Sequence, residues 1–345
     1  MFDYNKRPEE LMTPDIMRLV LSIHEHRGKQ ELYRATTPAI LDRLCEVATI
    51  QSTAASNRIE NIKTSDKRLR DILAEKVKPK NRDEREIAGY RYVLDMIHTQ
   101  YEHIPVTPNV ILQLHRDLYR QVDSAFSGNW KDSDNQIQER LPDGTMAVRF
   151  QPTSAAGTPA AVEALCAEYN KAIERGENDP LILSAMFVFD FVSIHPFNDG
   201  NGRMSRLLTL LLLYKSNYLI GKYVSIEHEI EKTKDTYYEA LEASSSGWHE
   251  EANDYLPFVS YLLGVVLTCY KTLDMRMEVI DTLNPERLIR HFFETHLGAV
   301  SKREITDAYP TVSTRTTERV LKKLQDEGFI EKTGAARATR YRRIG

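Results

Sequence analysis

The sequence predicts a mainly α-helical protein. Apolar residues recur at helical spacing through most of its 345 residues, only one clear hairpin signal interrupts that pattern in the middle of the chain, and the C-terminal segment repeats a shorter order of helices closed by a hairpin. Helices are expected over 14–26, 38–62, 84–102, 108–120, 160–175 and 254–277, with Thr107-Pro108 marking one N-terminus. Two apolar stretches, 181–194 and 207–214, are long enough for core helices and flank a polar loop punctuated by Asn198, Asp199 and two glycines. The hairpin is expected over 136–150, turning at Pro142-Asp143-Gly144. Further on, 273–284 reads as a linker ending in Asn284-Pro285. Helices then follow at 289–295, 302–309 and 314–327, and Phe329-Ile330 and Arg340-Tyr341-Arg342 frame a short hairpin around Gly334.

Composition narrows the class. The length suits two or three domains with a substantial core. Charged residues make up 28% and the net charge is −4, as expected for a cytoplasmic protein that is not a membrane component. The cysteines, Cys45, Cys166 and Cys269, have no metal-like or paired spacing and read as reduced core residues. No signal peptide opens the chain and no run approaches 18 apolar residues; the longest, near Phe187 to Ile194, is interrupted by Asp190.

The chemistry concentrates in His195 to Arg206, HPFNDGNGRMSR. An imidazole, a carboxylate, a Gly-Asn-Gly turn and two guanidiniums suit binding and attack of a nucleotide phosphate. Gly200 and Gly202 can bring backbone N–H groups close to an anion, and those groups open the following helix. The helix dipole adds only about 0.3–1 kcal/mol, so the charge must come from Arg203 and Arg206, three apart on one helical face. Asp199 is the loop's carboxylate, and Mg²⁺ is usually held by one or two carboxylates plus phosphate oxygens. An EF-hand is excluded because Arg203 stands where Asp or Asn is needed, and a Walker loop because no GxxxxGK[ST] occurs.

This string resembles the Fic family signature, HPFx(D/E)GNGRxxR, at every fixed position. ILQLHRDLY (111–119) resembles the family's early core helix, GNWKDSDNQI (128–137) the approach to its substrate-positioning flap, and 237–263 the segment that closes its nucleotide pocket. The likeness covers roughly 37–263. It implies a Fic-type helical bundle with a β-hairpin flap, and a protein AMP transferase that moves adenylyl from ATP to a hydroxyl of a target protein or of itself. His195 would then be the general base, which is typically worth about 10²–10⁴-fold. Asp199 would hold Mg²⁺ across the α- and β-phosphates. Asn201 and the Gly200 and Gly202 backbone would cradle the α- and β-phosphates, with Arg203 on the β and Arg206 on the γ. Ile137 would be the flap's apolar contact, plain hairpin packing being the other reading. Of Tyr237 and Tyr238, Tyr238 is preferred against adenine. Ser244 to Ser246 and Trp248-His249 read as capping and packing, and His115 as a core histidine.

Ser56 to Asn61 (SNRIEN) matches the family's inhibitory pattern, (S/T)xxxE(G/N). By resemblance Glu60 pairs with Arg206 and occupies the fork meant for the γ-phosphate, leaving the α-phosphate misplaced; one ångström can cost about 10²-fold. The alternative is a solvated helix end with Asn61 as its cap.

The domain organisation expected is 1–104, an N-terminal helical region with the inhibitory helix; 105–272, the catalytic core; 273–284, the linker; and 285–345, similar to a winged helix-turn-helix domain whose recognition helix opens at Ser313. From 311 to 345 nine Lys/Arg face four Asp/Glu, which suits DNA phosphates and acidic proteins equally. The family often forms homodimers. Two functional classes stay open. One is a self-restrained AMP transferase, with removal of AMP as its variant. The other is a DNA-binding regulator with a nucleotide-sensing core, which would not need His195.

Overall fold

The computed structural model describes residues 2–140, 145–295, 298–309, 312–334 and 339–344. The chain divides into two compact units, Met1–Leu273 and Asp274–Gly345.

The first unit begins with α1 (Arg7–Glu10), α2 (Pro14–Thr36), α3 (Pro38–Ile59), α4 (Asp66–Leu73), α5 (Arg82–Gln100) and α6 (Pro108–Leu118). The hairpin β1 (Ile137–Arg140) and β2 (Met146–Phe150) follows, then α7 (Thr158–Arg175), α8 (Pro180–Ile194), α9 (Asn201–Lys215), α10 (Ile226–Lys232), α11 (Lys234–Ser245) and α12 (Leu256–Leu283). Local chemistry sets many of the starts. Thr13, Ser65, Asn81, Thr107 and Asp179 each accept a backbone N–H of the first turn, each cap worth about 1 kcal/mol. Proline opens α2, α3, α6 and α8, where no intrahelical N–H is needed.

Helix α8 is buried along nearly its whole length and packs on α7 and α9. Its one carboxylate, Asp190, is fully buried and accepts hydrogen bonds from Tyr4 (2.6 Å), Trp248 (2.7 Å) and Tyr255 (2.9 Å). Desolvation raises its pKa to about 6 against those donors. This carboxylate ties the N-terminal segment, the 248 turn and the start of α12 to the helix that ends at His195.

Several expectations are corrected. Helix α2 runs ten residues past His26, through the exposed Gly28, to Thr36. Helix α9 starts at Asn201, six residues before the apolar stretch 207–214, so both motif arginines lie in its first two turns, on the helix where they were expected. The stretch read as a linker, 273–284, is helical as far as Leu283. Contrary to the hydropathy reading, Leu256–Glu278 is long and apolar enough to cross a membrane by length and composition; in this fold Phe258, Val259, Leu262, Val266 and Tyr270 are buried core. The turn expected at Pro142-Asp143-Gly144 lies outside the described residues.

The second unit holds the rest of α12, α13 (Pro285–Thr295), α14 (Lys302–Ala308) and α15 (Thr314–Asp326), then antiparallel β3 (Ile330–Thr333) and β4 (Arg340–Arg343). Val300 bridges to Tyr341 beside that hairpin. Ile289, Phe293, Ile305, Val320, Leu321, Leu324 and Ile330 form its core. A capping box joins Ser301 and Glu304, and Ser313 accepts the Thr316 N–H at the start of α15.

Candidate active site

Helix α8 stops at His195, whose φ of 52° is left-handed, and the chain returns as α9 after five residues. Side chains that clamp backbone hold this loop. Asn201 receives the Phe197 N–H (2.9 Å) and donates to the Phe197 carbonyl (2.7 Å). His115 is fully buried, stacks on Phe197 at 3.7 Å, accepts from the Gly128 N–H and donates to the Asp199 carbonyl (3.0 Å). Lys131 is buried and donates to the Ile194 carbonyl (3.1 Å), and Asn135 reaches the carbonyls of His195 and Phe197. Gly200 is needed twice over: its φ is 85°, and a Cβ there would sit 2.9 Å from the Tyr119 hydroxyl.

The His195 ring is half-buried, and its Nδ1 donates to the Val192 carbonyl at 3.3 Å. That bond assigns the tautomer and leaves Nε2 as the basic nitrogen. Desolvation draws the ring's pKa down to about 4, with nearby Lys131 adding to the fall and Glu60 opposing it. The imidazole is therefore neutral at pH 7 and available as a base. Lys131 is itself lowered to about 8 by burial.

Arg206 is 3% exposed, and its Nε and Nη2 are both engaged. Its Nε donates to the Ser56 hydroxyl (2.8 Å), and its Nη2 donates to the Ser56 carbonyl (2.9 Å) and to Glu60 Oε1 (2.8 Å). The Glu60 carboxylate lies so close to the start of α9 that a Cβ on Gly202 would overlap Oε1. An anionic group thus sits on the guanidinium, beside the first turn of α9. The end of α3 is pinned from outside by Arg58 on Glu231 (2.6 Å) and by Lys234 on the Ile59 carbonyl (2.9 Å).

Residues 105–213 match the Fic/DOC family. This chain contains a Fic domain. It is 28% identical over 196 residues to a protein adenylyltransferase Fic of Drosophila willistoni, covering 55% of this chain and 33% of that protein. It is 27% identical over 206 residues to one of Culex quinquefasciatus, covering 58% and 34%. The chain thus spans about a third of the length of these curated relatives. A Fic family protein from Desulfovibrio desulfuricans G20 matches with a TM-score of 0.62 at 23% identity, over 97% of both chains. A Fic domain containing signaling protein from Bacteroides thetaiotaomicron VPI-5482 matches with a TM-score of 0.60 at 23% identity, over 74% of this chain and 94% of that one. The last two likenesses show the fold.

Around this Fic domain two motif side chains have partners within the fold. Arg203 is 1% exposed; its Nη1 lies 2.7 Å from Glu86 and its Nη2 donates to the Tyr119 hydroxyl (2.6 Å), while its Nε and Nη1 make no hydrogen bond among the described residues. The Asn201 side chain is engaged by Phe197 and braces the loop. Asp199 is 47% exposed; its Oδ1 accepts the Gly200 N–H and its Oδ2 lies 3.2 Å from Arg82. Ile137 opens β1, half-buried, opposite Phe150, which stacks on His249 at 5.7 Å and meets Trp248 edge-on. Tyr237 is buried against Phe258 and Tyr261, whereas Tyr238 is half-buried with Arg149 and Lys234 each 5.8 Å from its ring. The Ser244 hydroxyl caps the Phe258 N–H.

Sequence reasoning missed Glu86, Arg82, Tyr119, Lys131 and Asn135 as parts of the site. The last two stand in GNWKDSDNQI, where a lysine and asparagine beside a tryptophan are the only signal.

Proposed function

We propose that this protein transfers AMP from ATP to a hydroxyl of a protein side chain, and that Glu60 restrains it. The carrying observation is the Glu60 carboxylate seated on Arg206 and on Gly202, beside an imidazole with a free Nε2. A γ-phosphate and a carboxylate compete for the same guanidinium. With the nucleotide in place, the target's O–H proton passes to His195 Nε2 as its oxygen bonds to the α-phosphorus and the bond to pyrophosphate breaks. The adenylyltransferase relatives support this reading.

Mg²⁺ fits as the accompanying ion. No group of three or more His, Cys, Asp or Glu side chains that could cage a metal occurs among the described residues. Asp199 does offer one half-exposed carboxylate, and a nucleotide would supply the remaining oxygens, the usual mode for this ion. Arg82, 60% exposed at its side chain, can leave Asp199 without breaking packing. When bound, the ion would neutralise phosphate charge; Asp199 orients it, and Lys131 and Asn135 keep the loop in register.

Incorporation of label from α-labelled ATP, by the protein itself or by extract proteins, tests the reading. Glu60→Gly should raise it, and adding His195→Ala should remove it while nucleotide binding persists. Equal incorporation by parent and Glu60→Gly, or label retained by the double variant at more than a few per cent, would overturn it.

For the second unit, one observation favours DNA contact: Arg315, Arg319 and Lys322 are exposed on α15 without an acidic partner among the described residues. The order α13, α14, α15 and hairpin supports a winged helix-turn-helix reading. Duplex DNA should then be retained at low salt and lost steeply as salt rises, and Arg315→Ala with Arg319→Ala should weaken it. No retention would leave protein docking.

A further inference from the structure

A cavity of about 790 Å³ opens between α4, the 74–79 connection, α5 and the end of α6, and none of its lining residues belongs to the His195–Arg206 loop. We propose that it is a second anion site, taking a small molecule that carries a chain of phosphates. Lys76, Lys78, Arg85, Arg91 and Arg120 line it, facing only two carboxylates, Glu75 and Asp95. Asp95 is already engaged by Arg91 at 2.6 Å. Lys76, Lys78 and Arg85 have no acidic partner among the described residues. Nearby, Arg68 holds Glu84 and Arg82 holds Glu86, each at 2.6 Å, so these two carboxylates are already engaged outside the cavity. In a chain of net charge −4, unpaired cations gathered in one concavity repel one another, and a polyanion relieves that repulsion.

The walls are built rather than loose. Arg68 donates to the Lys78 carbonyl (3.1 Å), and the Lys80 N–H donates to Glu84 (2.8 Å). The Arg68 hydrogen bond holds Glu84 down at about 2, so that clamp stays charged. The Arg120 guanidinium lies 3.8 Å over the Tyr92 ring, a flat cationic patch on which a planar base can stack. The excess of three positive charges suits a triphosphate, whose source is either inorganic polyphosphate or a nucleoside triphosphate. Arg85 follows Arg82 by three residues on α5, and Arg82 touches both Glu86 and Asp199. The site stands on its own residues and not on the AMP-transfer reading.

The test is isothermal titration of the whole 345-residue chain with tripolyphosphate in metal-free, low-salt buffer, repeated with GTP. Parent and Arg206→Ala should bind alike, and Lys76→Ala/Lys78→Ala/Arg85→Ala should lose tenfold or more in affinity at an unchanged thermal midpoint. Should that midpoint fall, Lys76→Gln/Lys78→Gln supplies the same comparison. GTP binding tenfold tighter than tripolyphosphate supports a nucleotide occupant, and equal affinity supports the phosphate chain alone; the triple variant must weaken both. Absence of binding to the parent, equal binding by the triple variant, or loss of binding in Arg206→Ala alone would each overturn the proposal.

Discussion

Two glutamates meet the two motif arginines, and their settings differ. Glu86 lies in the second turn of α5, 4% exposed, and is shared between Arg203 at 2.7 Å and Arg82 at 2.6 Å. Glu60 lies at the C-terminal cap of α3, 33% exposed, and reaches Arg206 from the edge of the helix, where Asn61 takes a left-handed φ of 61°. A buried carboxylate between two guanidiniums cannot leave without stranding charge in a low-dielectric interior. A carboxylate at a helix end, part in water, can be displaced by another anion at far smaller cost. One chemical pair is thus scaffold in one place and, in the function proposed above, a releasable stop in the other.

The largest effect expected is on the scaffold pair. Glu86→Ala should destabilise the first unit by about 3–5 kcal/mol, the usual cost of removing one partner of a buried ion pair, measured as the loss in denaturant unfolding free energy. A loss under about 1 kcal/mol would place Glu86 in the same class as Glu60 and erase the comparison.

Glu60→Gly should lower the unfolding free energy by less than Glu86→Ala does, because Glu60 is 33% exposed and the buried Arg206 keeps Ser56 as a partner, while raising label incorporation. If the pair leaves about 1% of molecules competent, the restraint is about 2.7 kcal/mol and the rise is tens of fold at most. A variant that is both strongly destabilised and inactive would show the pair to be scaffold after all.

A smaller effect is expected from acid, and it falls on both settings together. His115, on the Asp199 side, and His195, on the Glu60 side, are each lowered to about 4, mainly by desolvation. Their native pKa values lie below the unfolded value near 6.5, so the unfolded chain binds more protons between these limits. Their contribution to stability is complete above pH 6.5 and is lost as pH falls toward 4. Thermal midpoints measured from pH 7 to pH 5 should decline, and His115→Phe, which keeps a ring on Phe197 but takes no proton, should decline less steeply. Parallel curves would remove His115 from the cause.

The least effect belongs to Arg82→Ala. Glu86 keeps Arg203 as its partner, so stability should move by less than about 1 kcal/mol, and a larger loss would make Arg82 part of the scaffold.

The sequence by itself determined the elements whose information is local. One helix start followed from Thr107 and Pro108. The hairpin followed from its turn signal, and the loop from glycines bracketed by two apolar helices. The Glu60–Arg206 contact was legible through resemblance, because one short pattern carries the glutamate and another the arginine. The partners of Arg203 and Asn201 within the fold were not legible. Only the fold brings Glu86, 117 residues earlier, and Tyr119 against the Arg203 guanidinium. It is also the fold that brings Phe197 back onto the amide of Asn201. Lys131, Asn135 and His115 likewise carry no pattern of their own, since each acts on a backbone carbonyl and carbonyls leave no mark in a sequence. Burial decided the remainder: the charge state of His195 and the permanence of the Arg203 pair depend on how much water the packed helices exclude, and only the tertiary structure sets that.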